Sequence, residues 1–151
     1  MSAYLLDVSA LMALLWETHV HNERVTAWEA GQQIAVCPIT ELGFLRISTQ
    51  PSFGLNVADA RKTLKDWKKA RRPQFFPCDM EVLATDPPSA GTKTTDFYLA
   101  SLAAKHGMQL ATLDESTDLS KICLLVRRRS QLEAPFFRPG EAAVVDLTRR
   151  A

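Results

Sequence analysis

Long apolar runs are missing from this 151-residue sequence. The longest, Ala10 to Trp16, has seven residues, far short of the ~20 that span a bilayer. No basic segment precedes the apolar N-terminus and Asp7 interrupts it, so no secretory leader and no membrane anchor are expected. Cysteine is scarce. Cys37, Cys78 and Cys123 are odd in number, none pair at Cys-x-x-Cys spacing, and each lies beside apolar residues or Pro. They read as small buried hydrophobes of a reducing, cytoplasmic protein, not as a disulfide framework or a zinc site. Histidine is equally sparse. His19 and His21 lie two apart and read as solvent-facing residues at a helix start before they read as a metal pair. Excess charge is missing too. Lys and Arg number 18 against 17 Asp and Glu, a formal net of +1, so the total calls for no polyanionic partner.

What is present is an ordinary globular composition. A hydrophobic fraction of 46% excludes wholesale disorder. The length suits a single domain over residues 1–151, large enough to bury about two-thirds of its unfolded surface without a staple. The charge is unevenly placed. Arg61, Lys62, Lys65, Lys68, Lys69, Arg71 and Arg72 crowd one stretch against a single acid, Asp66, and Arg127–Arg129 form a second basic run. Such patches either bind phosphate backbones locally or are solvated faces.

Short apolar runs alternate with helical patterns. Strands are expected at Ala3–Val8, Ile34–Cys37, Gln74–Pro77, Gln109–Leu113, Ile122–Val126 and Ala142–Leu147. Helices are expected over Ala10–Trp16 capped by Ser9, to about Ala30, from a Thr40 cap to Thr49, from an Asn56 cap to Arg72, and over Asp96–His106 capped by Thr94 or Thr95. This order predicts an α/β fold, a three-layer α/β/α sandwich with a mainly parallel sheet. Parallel sheets place functional residues beyond the carboxyl ends of their strands.

Four acids fall at such places. Asp7 ends the first strand in an apolar setting, where an unpaired carboxylate costs several kcal/mol. Glu41 and Asp96 lie in first turns of helices, where acids also complement the helix dipole. Asp114 follows the strand Ala111-Thr112-Leu113, where a turn acid is also ordinary. Clustered carboxylates repel one another unless a cation relieves them. Oxygen-only ligands favour Mg²⁺, or Mn²⁺, over Zn²⁺. The chemistry suggested is metal-assisted phosphodiester hydrolysis.

Four blocks carry a resemblance: Leu5-Leu6-Asp7-Val8-Ser9-Ala10-Leu11, Cys37-Pro38-Ile39-Thr40-Glu41-Leu42-Gly43-Phe44-Leu45-Arg46, Thr95-Asp96-Phe97-Tyr98-Leu99-Ala100 and Leu110-Ala111-Thr112-Leu113-Asp114. In order and spacing they resemble the PIN-domain nucleases, and within them the VapC-type toxins of bacterial toxin–antitoxin modules, across Ala3 to about Asp118. The resemblance implies an α/β/α sandwich, Mg²⁺- or Mn²⁺-dependent RNA cleavage, a homodimer and a small antitoxin partner. It assigns Asp7, Glu41, Asp96 and Asp114 as metal-binding acids. Ser9 and Thr112 resemble accessory hydroxyls, although one also suits a helix cap and the other a strand. Many relatives carry a further acid two residues after the last Asp; here that residue is Ser116, and Asp118 lies four on. Trp16 and Trp28 are candidate anchors for the antitoxin, or core residues. The segment after Asp118 has no place in the resemblance.

Two other readings compete. A receiver-like regulatory domain would need paired acids early and an Asp ending the second strand, and neither is present. A non-catalytic PIN-like module that binds RNA or protein would be marked by a lost acid, and none of the four is lost.

Overall fold

A computed structural model describes residues 3–85 and 90–114, with the backbone alone of Val144–Asp146. The expected strand at 122–126 and the segment from 127 to 141 lie outside the described residues, as do Cys123 and Asp118. The described strands are β1 (Ala3–Leu6), β2 (Gln33–Val36), β3 (Gln74–Phe75), β4 (Gln109–Thr112) and β5 (Val144–Asp146). They form one sheet in the order β3-β2-β1-β4-β5, parallel at every junction. The helices are α1 (Val8–Leu15), α2 (Asn22–Glu29), α3 (Pro38–Ser48), α4 (Val57–Arg71) and α5 (Thr94–Lys105).

The layers follow from the two-residue period of a strand. Tyr4 and Leu6 of β1, with Ile34 and Val36 of β2, pack into a core shared with Ala10, Leu11, Val25, Phe44 and Leu64 of α1 to α4. Leu5, Ala35 and Leu110 turn to the opposite face, where α5 covers them with Leu99, Leu102 and Ala103. The result is the three-layer α/β/α sandwich expected, with four helices on one face and α5 on the other.

Three helix starts differ from the expectation. The residue capping α1 is Asp7, not Ser9, because the Asp7 carboxylate accepts the Ala10 N–H at 2.7 Å. Thr40 lies inside α3, which starts at Pro38, and its hydroxyl donates instead to Leu6 C=O at 2.9 Å. Neither Thr94 nor Thr95 caps α5; the Thr94 hydroxyl donates to Gly91 C=O at 2.8 Å. In each case a short polar side chain found a better partner than the expected cap offered. Asn56 does cap α4, accepting Asp59 N–H at 2.8 Å.

The cysteines also differ. Cys37 is buried as expected, but Cys78 is exposed, because it follows β3, the edge strand among the described residues, where no described strand covers the chain. Among the described residues, no helix is long and apolar enough to cross a membrane.

Strand order sets where a site can form. From β1 the chain steps outward to β2 and β3, then returns to the other side of β1 as β4. The connections leaving β1 and β4 therefore diverge, and a crevice opens between their carboxyl ends.

Candidate active site

Asp7 and Asp114 stand at that crevice, directly after β1 and just beyond β4. Asp7 continues the β1–β4 pairing with its own N–H, which donates to Ala111 C=O at 3.0 Å. Its side chain is 4% exposed. Four donations hold it: Ala10 N–H at 2.7 Å, the Ser9 hydroxyl at 2.8 and 3.0 Å to its two oxygens, and the Thr112 hydroxyl to Oδ2. Each hydroxyl also accepts a backbone N–H, Ser9 from Leu113 at 2.9 Å and Thr112 from Asp114 at 3.0 Å. Ser9 thus serves the carboxylate and not the helix cap, whereas Thr112 serves it as a residue of strand β4.

Burial pushes the Asp7 carboxyl up from 3.8 to about 6. The donations from Thr112, Ala10 and Ser9 oppose that rise, and the nearby charge of Asp96 adds to it. Like-charge repulsion, the effect expected of clustered acids, is therefore present but small; the larger cause is desolvation.

Asp96 lies in the first turn of α5. Lys93, one turn earlier, joins it to Asp114: the Lys93 ammonium is 3.8 Å from Asp96 Oδ2 and 3.0 Å from Asp114 Oδ2. Asp7, Asp96 and Asp114 are therefore tied into one constellation through Thr112, Lys93 and the field of Asp96 on Asp7.

Glu41 reaches the same edge by another route. It sits in the first turn of α3, beyond β2, beside Thr40, whose bond to Leu6 C=O fixes that turn against the end of β1. Gly43 lets α3 come close to α1: a Cβ at this position would lie 2.3 Å from Val8 Cγ2. The Glu41 carboxylate forms an ion pair with Lys68 of α4. The structure thus links Asp7, Asp96 and Asp114 through Thr112 and Lys93, and puts Glu41 beyond β2, at the same carboxyl end of the sheet, paired with Lys68.

Neither Lys68 nor Lys93 was expected in the site from the sequence. Lys68 stands there among the basic residues of α4 and reads with its exposed face. Lys93 carries a signal, its position three residues before Asp96, one helical turn.

Among the described residues, no three acids, histidines or cysteines stand together as a metal site. The donor set nevertheless consists of carboxylates backed by hydroxyls, which suits a hard divalent cation. For such an ion to bind all four acids, Lys68 and Lys93 must give way. The pair His19 and His21 is not part of this edge; His19 Nδ1 accepts the His21 N–H at 3.1 Å.

Elsewhere, Arg61, Lys62, Lys65, Lys69 and Arg72 leave an exposed basic face on α4. Arg71 turns inward to the buried Glu29, with two bonds of 2.6 and 2.8 Å. A cavity of about 260 Å³ beside that pair is lined by Gln33 and Gln74, the first residues of β2 and β3, and so opens at the opposite edge of the sheet from the acids. Trp16 and Trp28 are half-buried, packed edge-on against Phe53 and Tyr4 with ring centroids 5.1 Å apart in each pair.

Known proteins share this fold. The family model described as PIN domain matches residues 4–123. The chain is 36% identical to "Ribonuclease VapC38" of Mycobacterium tuberculosis (strain ATCC 25618 / H37Rv) over 118 residues, covering 73% of this chain and 84% of that one. It is 35% identical to "Ribonuclease VapC44" of Mycobacterium tuberculosis (strain CDC 1551 / Oshkosh) over 128 residues, covering 78% and 90%. Among solved structures it is similar to FitAB bound to an IR36 DNA fragment, with a TM-score of 0.63 and 18% identity over 98% of this chain and 97% of that one. It is also similar to VapBC2 from Rickettsia felis bound to a promoter DNA fragment, with a TM-score of 0.51 and 12% identity over 76% and 89%.

Proposed function

The chain belongs to the PIN-domain family, among its VapC-type nucleases, and from that premise we propose that it is a Mg²⁺-dependent endoribonuclease, the toxin of a toxin–antitoxin module. The observation that carries the reading is the position of Asp7. A buried carboxylate, held by three residues at the switch point of a parallel sheet, has Asp96 and Asp114 beside it. Capping α1 needs only one accepting oxygen, and a charged carboxylate buried for that purpose alone would be disfavoured by its own desolvation.

Asp7, Glu41, Asp96 and Asp114 are the residues that would hold Mg²⁺ or Mn²⁺. When bound, the ion supplies charge neutralisation at a phosphodiester and acidifies an attacking water. The chain's own residues do the rest. Ser9 and Thr112 fix the Asp7 carboxylate in one orientation by donating to it. Lys93 holds Asp96 and Asp114 near one another against their repulsion. Lys68 and Lys93 also bring two positive charges to the crevice, which favours the approach of a phosphate backbone. The exposed basic face of α4 extends from Lys68 away from the site and is the proposed track for single-stranded RNA.

The proposed partners are an RNA substrate, a second copy of the chain and a small antitoxin. The antitoxin reading is supported by the solved toxin–antitoxin assemblies that share this fold. Its proposed seat is the surface of α1 and α2 that includes Trp16 and Trp28.

Purified protein incubated with a mixed RNA pool tests the activity. Cleavage in Mg²⁺ or Mn²⁺ is expected, with none in EDTA and none from Asp96→Asn. Undiminished cleavage in EDTA would overturn the metal mechanism. Binding of RNA with no cleavage in any divalent cation would favour the non-catalytic module.

A further inference from the structure

The two described cysteines come together although they lie far apart in sequence. β2 and β3 run parallel with Ala35 opposite Gln74 and Val36 opposite Phe75, and Phe76 N–H extends the ladder to Val36 C=O at 3.0 Å. Cys37 and Cys78 therefore leave the same edge of the sheet side by side. Pro77 and Asp79 bend the second segment, with Asp79 N–H donating to Pro77 C=O at 2.9 Å. Tyr98 then pins it by donating to Met80 C=O at 2.8 Å. The Cys78 thiol ends where its electrostatic neighbours are the Cys37 thiol, the Tyr98 hydroxyl and the Ile39 N–H in the first turn of α3.

The two sulfurs differ in access. Cys37 is fully buried, packed with Tyr98, Phe76 and Met80, while Cys78 is exposed. An oxidant reaches one thiol and finds the other directly behind it. That order, an accessible thiol backed by a resolving one, is what formation of a protein disulfide by peroxide requires.

We infer that Cys37 and Cys78 form a redox modification site, in which a peroxide oxidises Cys78 and Cys37 resolves it into an intramolecular disulfide. In the first step the Cys78 sulfur attacks a peroxide oxygen and the O–O bond breaks. With hydrogen peroxide this gives a sulfenic acid and water. In the second step the Cys37 sulfur attacks the Cys78 sulfur, the S–O bond breaks, and a second water leaves with the Cys37 proton. Two thiols are oxidised by two electrons and one peroxide is reduced.

Burial and the neighbouring Cys37 hold the Cys78 thiol above its ordinary value, so it rests as a thiol at neutral pH and reacts slowly with dilute oxidant. The bridge would tie β3 to the amino end of α3, one turn before Glu41. Cys37 Sγ already lies 3.3 Å from Thr40 Oγ1, so the tether would act on the turn that presents that acid. Sheet register, the Tyr98 bond to Met80 C=O and the packing of Phe76, Met80 and Tyr98 with Cys37 carry the inference, which stands whether or not the chain cleaves RNA.

The test uses the full chain carrying Cys123→Ser, treated with hydrogen peroxide under native conditions and then alkylated. The expected product is a Cys37–Cys78 linked peptide pair, 2 Da lighter than the two reduced peptides together, reversed by dithiothreitol. The oxidised protein should melt at a higher temperature than the reduced protein, and Cys78→Ser should abolish the shift. Oxidation of Cys78 to a sulfinic acid with Cys37 still alkylatable would overturn the inference, as would a Cys78–Cys78 linked dimer. The peptide map of the Cys123→Ser chain decides alone, so a Cys37→Ser variant that fails to fold would not obscure it.

Discussion

The Thr112 hydroxyl donates to the Asp7 carboxylate, a residue 105 positions earlier in the chain. One bond thus joins the ends of β1 and β4 and orients the buried acid between them. Because it opposes the rise of the Asp7 carboxyl caused by burial, Thr112→Val is expected to push that carboxyl above about 6. The acidic limb of the pH–rate profile should move to higher pH, and cleavage at neutral pH should fall about 10–100-fold, as for supporting residues of metal sites. An unmoved limb would mean that Asp7 is not the group whose ionisation the rate follows.

Asp7→Asn should abolish cleavage and stabilise the fold in a pH-dependent way. The native state holds the Asp7 proton more tightly than the unfolded chain does, at about 6 against 3.8. Between those values the native state binds more protons, so stability falls as pH rises through the window. Above it the full cost remains, on the order of 3 kcal/mol before any relaxation. In EDTA the variant should therefore melt above the wild type at pH 7.5, and the gap should close toward pH 4. A gap that widened in acid would contradict the burial of Asp7.

Gly43→Ala tests the close approach of α3 to α1. The new methyl would meet Val8 Cγ2 at 2.3 Å and Cγ1 at 2.9 Å, so the Val8 side chain must turn away or a helix must move. A destabilisation of roughly 1–3 kcal/mol is expected from such overpacking, read by urea denaturation. The displaced α3 carries Glu41, so cleavage should fall further than the lower stability explains. Val8→Ala in the same chain should recover most of both. Without that recovery, the clash is not the cause.

Lys65→Glu with Lys69→Glu reverses charge on the exposed face of α4, leaving Lys68 and its Glu41 pair in place. In an Asp7→Asn background, where RNA should be held but not cut, affinity should drop. The salt dependence should flatten by about 0.7 for each phosphate that is no longer neutralised. Fluorescence anisotropy over a salt series measures both. An unchanged slope would make this face merely solvated.

Lys93→Met removes the cation that Asp96 and Asp114 share. A divalent ion then has one competitor fewer, and calorimetric titration should show tighter Mg²⁺ binding than in the wild type. Weaker binding would mean that holding the two acids together matters more to the ion than the charge of Lys93 that competes with it.

The layers and most elements were legible from apolar periodicity, because alternation along β1 and β2 and helical spacing along α4 are local properties. The positions of Asp7 and Asp114 were legible for the same reason: each ends a readable strand. The caps of α1, α3 and α5 were not. Ser9 and Thr40 are good local caps, but each found a partner from another element, Leu113 and Leu6, and no local rule ranks a tertiary bond against a cap. Lys68 was visible as charge and not as a neighbour of Glu41, since that pairing depends on how α4 packs on α3. The exposure of Cys78 was hidden too, because nothing in its flanking residues says that β3 lies at the edge of the sheet.

The switch point has a consequence in time. β1 and α1 leave the ribosome early, but the partner strand β4 and the hydroxyl of Thr112 arrive about a hundred residues later. At roughly 5–20 residues per second, that is a delay on the order of ten seconds. Until β4 docks, Asp7 has neither the Ala111 carbonyl nor the Thr112 hydroxyl as a partner, and Asp96 and Asp114 have no crevice to share. A nascent chain of this fold lacks the assembled crevice until β4 is made, and β4 follows every other described strand of the sheet except β5.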